Sequence, residues 1–262
     1  MRAIALLYHD VVAGRDWEAS GFPGVSAATY KLQRPEFERH LAAVSAAAKQ
    51  RGTVSQLLAG EPARGALPVL LTFDDGGASA YGCVADLLER TGWRGHFLIT
   101  TDYLDRPGFV TRAQVRDLAA RGHEIGSHTC SHPTPMAACR WEHLVDEWTR
   151  STGVLADVLG APVRVASVPG GAFSPQVARA AAAAGIAALF TSEPTTACVD
   201  VGGCLVIGRY LVRRGTSAAA AAALAAGQLA VRLRQLWFWN LKKAAKAVGG
   251  RTYLALRRAV YD

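Results

Sequence analysis

Short apolar runs alternate with stretches of helical periodicity along most of the chain. The runs predict strands at Ala3–Tyr8, Val69–Phe73, Gly95–Ile99, His123–Ser127, Val165–Val168 and Ala187–Thr191. The periodic stretches predict helices at Pro35–Lys49, Ala80–Arg90, Thr111–Arg121, Arg140–Leu159 and Pro175–Ala184. Punctuation agrees with the periodicity. Pro35 suits a first helical turn, Thr111 and Gln114 have the spacing of a capping box, and Gly122 stands where a helix would stop. Strand and helix in alternation imply βαβ units and a largely parallel sheet. His9-Asp10, Asp74-Asp75, His128 and Pro169-Gly170 all fall at or just past the C-terminal ends of predicted strands, where an α/β barrel builds its active site. Residues 14–34 lack clear periodicity and read as a long loop over that face.

The chain has 262 residues, half of them in the hydrophobic class, enough for one catalytic domain with a sizeable core. No run of about 20 apolar residues reads as a membrane span. Tyr8-His9-Asp10 ends the first apolar stretch too early for a signal peptide, so the mature protein is expected to start near Met1 and to be cytoplasmic. Five cysteines without CxxC spacing suit a reducing compartment.

The formal charge of +8 favours an anionic partner, and the charge is concentrated late in the chain. From Arg209 to Arg258 there are eleven basic residues and no acidic one. Within that tail Leu229, Leu233, Leu236, Trp237, Leu241, Ala244 and Val248 recur at three and four while cations gather elsewhere. This predicts a basic amphipathic helical segment, packed on the domain or peripheral at an anionic membrane face. No nucleic-acid motif accompanies it, and no nucleic-acid partner is expected. The expected division is 1–212 for the catalytic domain and 213–262 for the tail.

Candidate chemistry starts at Asp74-Asp75-Gly76-Gly77, where a buried strand would break into a turn. Adjacent carboxylates point to opposite sides of a strand, but a turn can bring both into one site. Asp-Gly is equally a common turn signal. His128 and His132 are four apart and would share one face of a helical turn. Two imidazoles and one carboxylate leave open positions on a divalent ion, which suits metal-assisted hydrolysis. His40, His96, His123 and His143 read as structural, Cys130 as pointing away from any ion, and Trp141 and Trp148 as core anchors. Glu193, past the end of another predicted strand, is a further candidate at the rim, either toward substrate or as a plain loop residue.

These motifs resemble the polysaccharide deacetylase family, the NodB-homology or carbohydrate esterase 4 domain, over roughly Ala3 to Tyr210. Thr72-Phe73-Asp74-Asp75-Gly76 matches its first motif in full, and His128-Thr129-Cys130-Ser131-His132 matches the second, H-[ST]-x-x-H. The resemblance implies a distorted (β/α)7-type barrel, with Asp74 as general base and Asp75, His128 and His132 as ligands of one divalent metal ion, zinc by default, with cobalt or nickel as alternatives. Val168-Pro169-Gly170-Gly171 looks like the third motif, whose loop lines the substrate groove and helps hold an oxyanion. The family arginine two residues before the proline is replaced by Ser167.

No histidine follows His143, so the late acid histidine of the family is missing. Leu6-Leu7-Tyr8-His9-Asp10 instead resembles the opening of the permuted poly-N-acetylglucosamine deacetylase branch, which implies His9 as the acid, with Asp10 orienting it. The implied activity is N-deacetylation of an amino sugar in a glycan or lipid-linked saccharide. The alternatives are a deformylase or O-acyl esterase acting on a lipid-linked sugar, and a non-catalytic carbohydrate-binding protein.

Overall fold

A computed structural model describes residues 1–60 and 65–243. Its eleven strands are β1 (Ile4–Tyr8), β2 (Val11–Val12), β3 (Leu32–Gln33), β4 (Val69–Phe73), β5 (Gly95–Ile99), β6 (Glu124–Ser127), β7 (Val165–Ser167), β8 (Ala188–Phe190), β9 (Cys198–Val201), β10 (Cys204–Ile207) and β11 (Arg209–Leu211). Nine of them form one sheet in the order β11-β1-β4-β5-β6-β7-β8-β10-β9. Every ladder in it is parallel except β10 with β9. The α/β class and the large parallel sheet agree with the sequence reading. The continuous segment Cys204–Leu211 serves both ends of the row: β10 pairs with β8, and β11, one residue later, pairs with β1.

Helices cross between the strands: α1 (Val25–Ala28), α2 (Arg34–Ala47), α3 (Val54–Leu58), α4 (Ala85–Arg90), α5 (Arg112–Ala120), α6 (Trp141–Leu159), α7 (Pro175–Ala183) and α8 (Ala218–Ala225). Local chemistry sets several of their ends. Thr111 accepts from the Gln114 amide while the Gln114 side chain accepts from the Thr111 amide, the reciprocal pairing expected for α5. Pro35 occupies the first turn of α2, and α6 stops at the left-handed Gly160. The helix expected from Ala80 starts as a π-turn over Ala80–Val84 before α4 takes over.

Strand alternation places two apolar clusters on opposite faces of the central strands. Ile4, Leu6, Tyr8, Leu71, Phe73, Phe97 and Ile99 face one way and pack with apolar residues of α2, α4 and α5. Ala5, Leu70, Leu98, Val165, Ala188, Phe190 and Ile207 face the other way and are plugged by Val54 and Leu57 of α3. Both faces of the central strands are therefore apolar, so they read as unbroken hydrophobic runs. Trp148 is fully buried in a third cluster beside α7, but Trp141 is 40% exposed, so only one of the two expected tryptophan anchors serves the core.

His40, His96 and His123 take structural partners as expected. His40 Nε2 meets the Thr216 carbonyl, His96 bridges the Leu71 carbonyl and the Val54 amide, and His123 bridges the Gly95 amide and Glu89.

After α8, residues 229–243 are helical. The expected tail positions Ala244, Lys246, Val248, Arg251, Arg257 and Arg258 lie outside the described residues. Among the described residues, no helix is long and apolar enough to cross a membrane.

All five cysteines are unpaired, with Cys130, Cys198 and Cys204 buried and Cys83 and Cys139 half-buried. Burial pushes the Cys204 thiol up to about 12, and the thiolate is the reactive form. Native protein at pH 8 is therefore expected to react with a thiol reagent at Cys83 and Cys139 at most, and at all five sites only when unfolded; rapid native labelling of Cys204 would contradict this packing.

Candidate metal centre and active site

The parallel register lines up the candidate residues at one end of the sheet. Tyr8 pairs with Phe73, so His9 and Asp74 emerge side by side. Ser127 pairs with Ala166, so His128 emerges beside Ser167. Beyond Phe73 the chain turns sharply, with Asp75 at φ 77° and Gly76 at φ 79°. Aspartate tolerates this left-handed conformation better than most side chains. The turn cancels the strand alternation and directs both carboxylates into one site.

Asp75 Oδ1 lies 3.4 Å from His128 Nε2 and 3.6 Å from His132 Nε2. One donor atom from each of the three residues falls within 4.8 Å of the others, which suits three ligands on one face of an ion. His128 Nδ1 is 3.0 Å from the Ser167 carbonyl. A carbonyl can only accept, so Nδ1 carries the proton and Nε2 presents its lone pair to the cluster. Burial and then the nearby His128 imidazole push His132 down to about 4, so its ring is neutral at neutral pH. Among metal donors, two imidazoles and a carboxylate fit zinc, cobalt or nickel equally.

The two histidines meet by a route other than the helical turn expected. Residues 128–132 form a loop in which Thr129 (φ 67°) and His132 (φ 62°) are left-handed. The loop is pinned from α6 by Glu147, whose buried carboxylate accepts from the Cys130 and Ser131 amides and the Ser131 hydroxyl. Cys130 is buried away from the ligand set, as expected.

Asp74 is not one of the three donors, although its Oδ2 lies 3.9 Å from His128 Nε2, and its carboxylate is gripped by a residue the sequence reading left among the tail cations. Arg209 Nη1 donates to Oδ1 at 2.6 Å and Nη2 to Oδ2 at 2.8 Å. Arg209 is 1% exposed, and its remaining donors reach the Thr191 carbonyl and the Thr72 hydroxyl. Burial works to raise the Asp74 carboxyl, but the Arg209 guanidinium and then His128 hold it well below the usual carboxylate range. Ser167, standing where the family arginine was expected, donates from Oγ to Asp74 Oδ1 at 3.1 Å while its Oγ sits 2.6 Å from His128 Nδ1. It links the Asp74 carboxylate to a ligand histidine, and Arg209 supplies the charge from another strand. The available signal was an arginine inside the apolar run Leu205-Val206-Ile207-Gly208-Arg209-Tyr210-Leu211, because buried arginines require a partner.

His9 is half-buried against Tyr30, ring centroids 4.8 Å apart. Its Nδ1 is buried without a hydrogen-bond partner. Asp10 contacts Ser20 Oγ (2.5 Å) and Ser79 Oγ (2.7 Å) rather than His9, and ties residues 14–34 to the turn after β4. Glu193 acts through its backbone: its carbonyl accepts from the amides of Thr195 and Arg209, which seats Arg209. Pro169, Gly170 and Gly171 form a tight turn with both glycines left-handed. A Cβ on Gly170 would lie 2.8 Å from Thr134 Cγ2, so this turn packs directly against the chain following His132.

The expected long loop does cover this face, and it contains α1 and β3. Lys31, 2% exposed, donates from Nζ to the Trp17 and Phe22 carbonyls and so shapes it. Phe22 lies 4.8 Å from His132, ring to ring, and contacts Tyr103 and Phe109. Aromatic faces thus border the donor set on one side.

A parallel α/β sheet thus carries, at its strand ends, an Asp-His-His donor set able to hold one metal ion and, beside it, a separate aspartate paired with Arg209. Residues 63–189 match the family model described as Polysaccharide deacetylase. The match includes Asp74, Asp75, His128 and His132; His9 comes before it and Arg209 after it.

Solved structures share the fold over most of the chain. IcaB from Ammonifex degensii is 23% identical at a TM-score of 0.69, covering 86% of this chain and 97% of that one. The Streptococcus pyogenes deacetylase PplD in complex with acetate is 16% identical at 0.70, covering 83% and 95%. A de-N-acetylase from Aggregatibacter actinomycetemcomitans is 23% identical at 0.66, covering 83% and 97%.

Two outcomes follow from the electrostatics. Arg209→Met leaves Asp74 as an uncompensated buried charge and is expected to cost about 3–5 kcal/mol in urea unfolding, with Arg209→Lys recovering only part because it lacks the two-pronged geometry. For His132, the folded value lies below the ordinary 6.5, so the unfolded chain binds the proton first as pH falls. Metal-free protein should therefore lose stability between about pH 6.5 and pH 4 through this group, and the melting temperature of His132→Gln should vary less over that window.

Proposed function

We propose that this protein is a metal-dependent carbohydrate N-deacetylase acting on an N-acetylated amino sugar in a glycan or lipid-linked saccharide. The observation that carries the proposal is the juxtaposition of the Asp75–His128–His132 donor set with Asp74, a carboxylate kept ionised by Arg209 and left out of that set. A divalent ion held by the three donors would supply Lewis-acid polarisation of the acyl oxygen and acidify a water molecule.

Asp74 takes the proton of the attacking water. Arg209 and Ser167 hold its carboxylate in position. His9, beside Asp74 in the register of β1 and β4, delivers a proton to the departing nitrogen. The backbone amide of Gly170 stabilises the developing oxyanion, since Pro169 has no N–H, the Gly171 N–H donates to the Val168 carbonyl, and glycine permits close approach there. Phe22, Tyr103 and Tyr30 offer ring faces for packing against the sugar. The products are acetate and a free amino sugar. Deformylase and O-acyl esterase activities use the same groups, because both pass through a similar tetrahedral species. Arg209 weighs against a non-catalytic carbohydrate-binding protein, because it makes good the charge that Ser167 lacks.

The test is mass spectrometry of N-acetylglucosamine oligomers incubated with zinc-loaded protein, with formylated and O-acetylated sugars in parallel. Loss of acetyl groups is expected. Asp74→Asn should retain bound zinc and lose about 10³-fold or more in rate, whereas Asp75→Asn or His128→Ala should lose the metal itself. His9→Gln should retain zinc and lose about 10²–10⁴-fold. Acetyl release by Asp74→Asn at the parent rate would overturn the assignment, as would release only of formyl or O-acetyl groups.

A further inference from the structure

The helix over residues 229–243 docks one side on its own domain and leaves an apolar stripe exposed along the other. Arg232 donates to the Tyr210 hydroxyl and to Thr196 Oγ1, and Gln235 exchanges hydrogen bonds with the backbone of Leu211. The docked side combines these polar groups with Val231, which packs against the core, and with the half-buried Leu236 and Trp239. Leu229, Leu233, Trp237 and Leu241 follow one another at four-residue spacing and are each 51–61% exposed, and Phe238 beside them is 48% exposed. A continuous apolar stripe of this kind on a helix marks an interaction surface.

Charge selects the partner. Arg234, Lys242 and Lys243 lie along the same exposed helix, and residues 201–261 contain no acidic side chain. A second copy docking face to face would set these cations against their own equivalents. The chain after residue 243 adds Lys246, Arg251, Arg257 and Arg258, so it carries the same sign. An anionic lipid surface complements the cations, accepts the leucines into its hydrocarbon margin, and is the environment tryptophan prefers.

Direction matters as well. Gly227 lies against Ile4 at the start of β1, while Gln235 bonds Leu211, which pairs with Leu7 near the end of β1. The helix therefore climbs toward the strand ends that carry Asp74 and His9. At about 1.5 Å per residue, Leu241 stands about 9 Å further along the helix than Gln235. We propose that the Leu229–Leu233–Trp237–Leu241 face seats this protein on an anionic lipid bilayer with its catalytic end turned toward the membrane.

Sedimentation of the intact protein with phosphatidylcholine vesicles, with and without roughly 30% phosphatidylglycerol, tests this. The intact chain is expected to pellet with the anionic vesicles and to be released by roughly 0.5 M salt. Pelleting with neutral vesicles should be at least about tenfold weaker. Leu233→Glu/Trp237→Glu should lower anionic-vesicle binding by at least about tenfold while keeping the parent thermal melt, because neither side chain is buried. Failure of the intact protein to pellet, or equal pelleting of the variant, would overturn the proposal. So would a lipid-free dimer in sedimentation velocity that the same substitutions dissociate, since a second copy would then own the face. None of these readouts depends on the deacetylase reaction.

Discussion

A buried guanidinium and a buried carboxylate, each nearly sealed from water, hold the centre of this molecule together. Separately, Arg209 and Asp74 would each impose a large desolvation cost; joined by two parallel hydrogen bonds, they largely cancel it. Much of the surrounding geometry serves the pair. Arg209 sits opposite Ala5, below the level of the Asp74-Asp75 turn, and its long side chain reaches Asp74 from there. Thr72 and the Thr191 carbonyl take its spare donors. At the preceding Gly208, a Cβ would come within 2.4 Å of the Glu193 carbonyl oxygen, so a bulkier residue would push the strand off its seat. Asp74 can thus remain ionised inside the fold, close to the donor set without joining it.

The rim is held by a second group of buried polar side chains. Glu147 fastens the loop that carries His132, Asp10 fastens the turn that carries Asp75 through Ser79, and Lys31 fastens the covering loop through Trp17 and Phe22. Each is a charge placed where several hydrogen bonds converge. They fix loop geometry that apolar packing, being non-directional, would leave loose.

The parallel strands were legible because both faces of the central sheet are apolar, which turns β1, β4 and β5 into plain hydrophobic runs. The helices were legible through three- and four-residue spacing and through punctuation such as Thr111-Gln114. The donor set was legible because Asp74-Asp75-Gly76 and His128/His132 are compact motifs. Other features depend on distance in space. The short β2 and β3 have no periodicity to read, and β9–β11 pass through Gly202, Gly203 and Gly208. Four-residue spacing suggested a helical turn at His128–His132, whereas the backbone there takes left-handed steps that no local pattern announces. Arg209 looked like one more cation of a basic tail, since a single sequence does not say which way a charge points. The tail helix carried the same ambiguity: its stripe was plain, but which face the domain would claim was not.

Arg209 and Asp74 are separated by 135 residues of chain, and the strand bearing Arg209 joins the sheet beside the first strand of all. In a chain growing from its N-terminus, Asp74, Asp75, His128 and His132 are all synthesised before Arg209, the counter-charge of Asp74. Until β11 takes its place, Asp74 has burial pushing it toward the neutral acid and no guanidinium to oppose it. Completion of the last sheet strand therefore supplies the guanidinium that favours the ionised form of this carboxylate in the folded interior. The donor residues come from the first half of the sheet, and the group that holds Asp74 beside them comes from its last strand, so the site takes its final arrangement only when the sheet is complete.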